Sequence, residues 1–95
     1  MTAYVLVEVK INQPERYEQY KKMASEAIAA FGGKYLARGG SAEALEGDEP
    51  HRIVILEFES VDQAKAWHAS DVYREALELR TAITDSRMIV VDGVS

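Results

Sequence analysis

Residues 3–11, AYVLVEVKI, alternate strictly, and both halves of the alternation are apolar enough to need cover. Ala3, Val5, Val7, Val9 and Ile11 fall on one side of the predicted strand, and Tyr4, Leu6, Glu8 and Lys10 on the other. The same holds for HRIVILEFES (51–60), where Arg52, Val54, Leu56 and Phe58 oppose Ile53, Ile55, Glu57 and Glu59. A period of two excludes a helix for both segments. An apolar second face means that helices on one side of the sheet leave an exposed patch on the other.

The intervening segments have helical periods. Asn12 followed by Glu15, with Pro14 in the first turn, is a capping-box pattern and predicts a helix to about Phe31. Its stripe is Tyr17, Tyr20, Ala24, Ala27, Ile28 and Phe31, and Gly32 and Gly33 supply a left-handed stop. KYLA, Arg38-Gly39-Gly40 and SAEALEG together predict one irregular strand with a bulge at Gly39 and Gly40. The GDEP turn (47–50) leads into the second firm strand. Ser60 with Gln63 starts another helix, Ser70 and Asp71 predict a break and a new cap within it, and RMIVVDG (87–93) predicts a last strand.

The order strand, helix, strand, strand, helix, strand predicts an α+β fold. It is the ferredoxin-like split βαβ arrangement (βαββαβ), an antiparallel sheet with both helices on one face. The 95 residues suit a single domain (1–95). Because DGVS at the end is too short to cover the second face, a homodimer pairing sheet to sheet is expected.

Composition narrows the function classes. Net charge is −5 and the isoelectric point about 5.0, so there is no basic footprint for nucleic acid or an anionic membrane surface. The apolar run before Glu8 is too short for a signal segment or a membrane span, and a cytoplasmic location is the expectation. With no cysteine, thiol chemistry and disulfides are absent; His51 and His68 are 17 residues apart with no suitable carboxylate spacing, so neither metal nor cofactor is expected. Glycine-rich nucleotide loops and a nucleophile elbow are missing.

The candidate site is built from residues that break the apolar period. Glu57 shares a face with Ile53 and Ile55, and Glu8 one with Tyr4 and Leu6; a buried carboxylate needs a cation, and Arg38 and Arg80 are candidates. Arg80 follows the inward stripe of Tyr73 and Leu77, where it either meets a planar acceptor or snorkels to water. Arg38 is followed by Gly39 and Gly40, which let a ligand approach the backbone. Trp67, His68, Ser70 and Tyr73 form the densest group of hydrogen-bonding side chains. Trp67 and Tyr73 would wall a pocket, and His68 or Glu57 would move a proton near neutral pH.

YLARGG, EALEG, RIVILEF and AKAWHASDVYREALELR together resemble the bacterial family known as domain of unknown function 1330. The matching positions are Arg38, Gly39, Gly40, Glu46, Gly47, Trp67, Ser70, Tyr73 and Arg80, whereas His68 and Asp71 depart from the family's tyrosine and proline. The resemblance implies a dimeric α+β barrel, an architecture similar to that of small cofactor-free monooxygenases and muconolactone-type isomerases. No activity comes with it. The expectation is a homodimer that binds a small anionic or aromatic ligand between sheet and helices, with isomerisation or oxygenation without a cofactor within reach of such a set; whether it is an enzyme is left open. Two alternatives stand beside it: a non-catalytic structural or regulatory dimer whose buried Arg/Glu pairs only stabilise the fold, and a module that binds another protein through its sheet edge.

Overall fold

The computed structural model describes residues 2–94. Its elements are β1 (Ala3–Ile11), α1 (Pro14–Ala30), β2 (Lys34–Arg38), β3 (Arg52–Phe58), α2 (Val61–His68), α3 (Asp71–Ile83) and β4 (Thr84–Asp92). The strands form one antiparallel sheet in the order β2-β3-β1-β4, the ferredoxin-like topology expected from the element order. The most regularly alternating strand, β1, is central, with Val5 opposite Leu56 on one side and Val90 on the other.

Ala3, Val5, Val7, Val9, Val54, Leu56 and Phe58 are buried and pack against the inward residues of the helices, among them Tyr17, Tyr20, Ile28, Trp67, Tyr73 and Ile83. On the other face, Leu6 is 37 % exposed, Ile89 43 % and Val91 48 %, with Tyr4, Ile53 and Ile55 partly covered beside them. The second apolar face anticipated from the alternation is therefore present and open.

Several local features differ from their sequence patterns. Gln13, not Asn12, caps α1, and no side-chain cap bond forms. The Asn12 backbone N–H donates to the Ile83 carbonyl and its side-chain Nδ2 to Asp85, so the residue is turned toward the sheet end rather than the helix. Gly32 is left-handed (φ 74°), but Gly33 is not; its missing Cβ instead leaves space filled by Ile28 and Phe58.

The strand expected through SAEALEG stops at Arg38, and the β2 bulge lies between Tyr35 and Ala37 rather than at Gly39 and Gly40. Gly39 adopts φ 70° and donates its N–H to Ile53, after which the chain leaves the sheet. β4 begins at Thr84 rather than Arg87, because pairing continues until Ile11 meets Thr84.

Ser60 accepts from the Gln63 N–H as expected, but the Gln63 side chain reaches the Phe31 carbonyl and ties α2 to the end of α1. Ser70 caps α3 by accepting from the Tyr73 N–H, which makes the predicted break a clean boundary between two helices.

Candidate functional site

Arg38 ends β2, where its guanidinium lies 4.3 Å from the Tyr35 ring centre and donates to Ser25 Oγ at 2.9 Å. Ser25 is in turn 3.2 Å from the Tyr35 hydroxyl. Arg52 opens β3 opposite Val9, on the inward face, and its guanidinium sits 5.4 Å from the Tyr17 ring centre. A Cβ at position 39 would overlap that guanidinium, so Gly39 both makes the left-handed exit from β2 and leaves room for Arg52. Gly40 meets nothing and has no such role.

Arg38, Arg52, Tyr17 and Tyr35 line a narrow cavity of about 30 Å³ between α1 and the sheet, which runs past Val7 and Val9 to Trp67 and Met88. Among the described residues, the ion pairs are Glu18 with Lys21 at 2.7 Å and Asp71 with Arg74 at 2.5 Å; neither arginine of the cavity has a carboxylate partner. The buried Arg52 Nε has no hydrogen-bond partner at all. Burial raises the Tyr17 phenol, an effect that Arg52 opposes. With Lys21 and Tyr20 also in the lining, three cations, three phenols and an apolar floor surround a space in which the two guanidiniums can hold the oxygen atoms of an anion.

Trp67 is 1 % exposed and stacks near Phe58 (5.3 Å between ring centres) and Tyr73 (4.4 Å), while its indole N–H lacks a partner. With Met88 it also borders a second, wider cavity of about 200 Å³ between α2 and β4, lined by Val5, Ala64, Val90 and, at its rim, Lys65 and His68. Desolvation, and then the nearby positive charge of Arg80, holds His68 below the ordinary imidazole value of 6.5. The imidazole is thus neutral at pH 7 and able to accept a proton.

A pH prediction follows from that lowered value. The native state takes up the His68 proton less readily than the unfolded chain, so the stability it contributes is present above pH 6.5 and is lost as pH falls toward the native value. Thermal unfolding of the wild type should decline more between neutral and mildly acidic pH than that of His68→Gln. Parallel curves would show that His68 titrates alike in both states.

The remaining expected site residues lie elsewhere. Tyr73 is fully buried, bonded to the Tyr20 hydroxyl at 2.7 Å, and borders neither cavity. Burial, reinforced by Tyr73, drives the Tyr20 phenol far above its usual range. Ser70 is a helix cap. Arg80, 5 % exposed, donates to Ser86 Oγ in the last turn of α3, where the helix's carbonyl end offsets its charge.

Glu57 is cross-strand from Tyr4 and belongs to the outer sheet face. The expected Arg80–Glu57 pair therefore does not form, because the sheet stands between them, and Glu57 cannot serve a cavity on the helix side. Within one subunit, the described residues form no buried Arg/Glu pair. Glu8, also on the outer face, accepts from the His51 backbone N–H.

Arg52 was not among the expected site residues. Its signal was an arginine heading an otherwise apolar inward face, with Val54, Leu56 and Phe58 after it. Among the described residues no cluster of three or more metal-ligating side chains occurs, and no helix is long and apolar enough to cross a membrane.

No curated protein matches the chain. Among solved structures, a protein of unknown function from Rhodopseudomonas palustris is 24 % identical, with a TM-score of 0.81 over 99 % of this chain and 83 % of that one. A dimeric ferredoxin-like protein of unknown function from Jannaschia sp. CCS1 is 10 % identical, with a TM-score of 0.76 over 98 % and 100 % of the two chains. SnoaB, a cofactor-independent oxygenase from Streptomyces nogalater, is 9 % identical, with a TM-score of 0.71 over 99 % and 94 %. These likenesses establish the fold. Residues 2–94 match the domain of unknown function DUF1330, and the chain belongs to that family.

Proposed function

We propose that the protein is a homodimer whose subunits each bind a small organic carboxylate, its oxygens held by Arg38 and Arg52. The observation that carries this reading is the pair of guanidiniums on one cavity with no carboxylate among the described residues within ion-pair distance; Glu18, paired with Lys21, acts on Arg52 only at longer range. Arg38 is exposed, but the Arg52 Nε is buried without a partner, which is costly, and a bound carboxylate can accept N–H bonds from both guanidiniums. Support for the dimer comes from the open apolar sheet face and from the dimeric state of the Jannaschia protein with the same fold.

The arrangement also suits proton-transfer chemistry without a cofactor, as in an enolisation. Arg38 and Arg52 would stabilise developing negative charge on oxygen, and neutral His68 would accept a proton at the far end. SnoaB, a cofactor-independent oxygenase, has this fold and is consistent with such use of the scaffold.

Calorimetric titration with benzoate, acetate and inorganic phosphate tests the binding reading. A carboxylate should bind to the wild type, and Arg38→Ala and Arg52→Ala should each weaken it by about 10- to 100-fold, the worth of a hydrogen bond to a charged group. Equal affinity in wild type and both variants would refute the anion site.

A further inference from the structure

The two cavities share a wall. Trp67 and Met88 border both, the first cavity narrow at about 30 Å³ and the second wider at about 200 Å³. The narrow one has lining residues from every strand: Arg38 on β2, Arg52 on β3, Val9 on β1 and Met88 on β4. In the order β2-β3-β1-β4 this crosses three inter-strand steps, a span of about 14 Å at the usual strand spacing. From Met88 the wider cavity continues between β4 and α2, with Val5, Ala64 and Val90 as apolar lining.

The partition itself is of unequal parts. Trp67 is locked by its stacking on Phe58 and Tyr73, but Met88 is only partly buried, and an unbranched thioether changes rotamer readily. Beyond the partition the two cationic heads are absent, and the polar groups, Lys65 and His68, are exposed and stand at the rim rather than on the floor.

We infer that the two cavities are the neck and the body of one ligand chamber joined at Met88, and that the ligand is an elongated, largely apolar carboxylate. Its head lies at Arg38 and Arg52, its chain follows the neck, which at about 30 Å³ has room for one or two waters and must widen to admit methylenes, and its tail fills the body beside Val90. This inference rests on the carboxylate site proposed above. It adds the length and character of the ligand and the role of Met88, which must turn aside for the tail to pass.

The test is a series of straight-chain carboxylates, from acetate through hexanoate and octanoate to dodecanoate, titrated calorimetrically into the wild type, Val90→Phe and Met88→Phe. Val90 lines the body alone, so enlarging it should spare the neck. In the wild type, affinity should rise about fourfold per added methylene and continue to rise beyond octanoate. In Val90→Phe the rise should stop at the length that fills the neck, with hexanoate affinity within about twofold of wild type; Met88→Phe, at the junction itself, should also stop the rise. Unfolding curves of the ligand-free variants identify any that has lost its fold, and either substitution alone suffices for the comparison.

A wild-type affinity that levels off at the same short chain as in Val90→Phe, or long-chain affinity untouched by both substitutions, overturns the joined chamber while leaving the anion site standing. Failure of every carboxylate to bind, or indifference to Arg38→Ala, would instead remove the anion site and this inference with it.

Discussion

Trp67→Ala should cost about 3–5 kcal/mol of folding stability, the usual range for removing a large aromatic side chain from a packed core. Trp67 is the chain's single tryptophan, is 1 % exposed and lies between Phe58 and Tyr73. It joins α2 to the sheet and to α3 at once, so neighbouring side chains cannot close on the space without moving elements apart. Domains of this size are stable by only about 5–15 kcal/mol, and each 1 kcal/mol moves the melting temperature by about 4–8 °C. The melting temperature should therefore fall by roughly 15 °C or more. A loss below about 1 kcal/mol would show that the stack contributes little and that the core is held elsewhere.

Leu6→Glu should convert the proposed homodimer to a folded monomer, weakening self-association by more than about 100-fold, since a buried and unpaired charge costs about 3–5 kcal/mol. Leu6 lies at the middle of the outer face, cross-strand from Ile55 on β3 and Ile89 on β4. In a two-fold dimer one substitution places a carboxylate into the interface from each subunit. Light scattering on the eluting protein reads the mass, and circular dichroism confirms that the fold is kept. A Leu6→Glu protein that remains dimeric would place the interface on another surface and leave the apolar sheet face unexplained.

The sheet was legible because its signal is local and redundant. In β1 and β3 nearly every second residue is apolar, and a register shift of one would expose Val5, Val7 and Val9 together. Ser70 as a helix start was legible for a similar reason, since a cap bond spans only three residues. Asn12 carried the same local pattern, but a distant partner decided the outcome: Ile83 and Asp85 took its backbone and side chain. SAEALEG failed as a strand because the chain turns away at Gly39 and no neighbour pairs with it.

The candidate site divides along the same line. By itself the sequence determined which residues share a face, that both sheet faces are apolar, and that Arg38 stands before two glycines. Only the tertiary structure decided which charges meet. It put Glu57 on the far side of the sheet from Arg80, brought Arg52 from β3 to the cavity of Arg38, and withdrew Tyr73 and Arg80 into the core. Alternation is set by the geometry of one strand, residue by residue. The meeting of two side chains depends on strand order and crossover, which no single segment encodes.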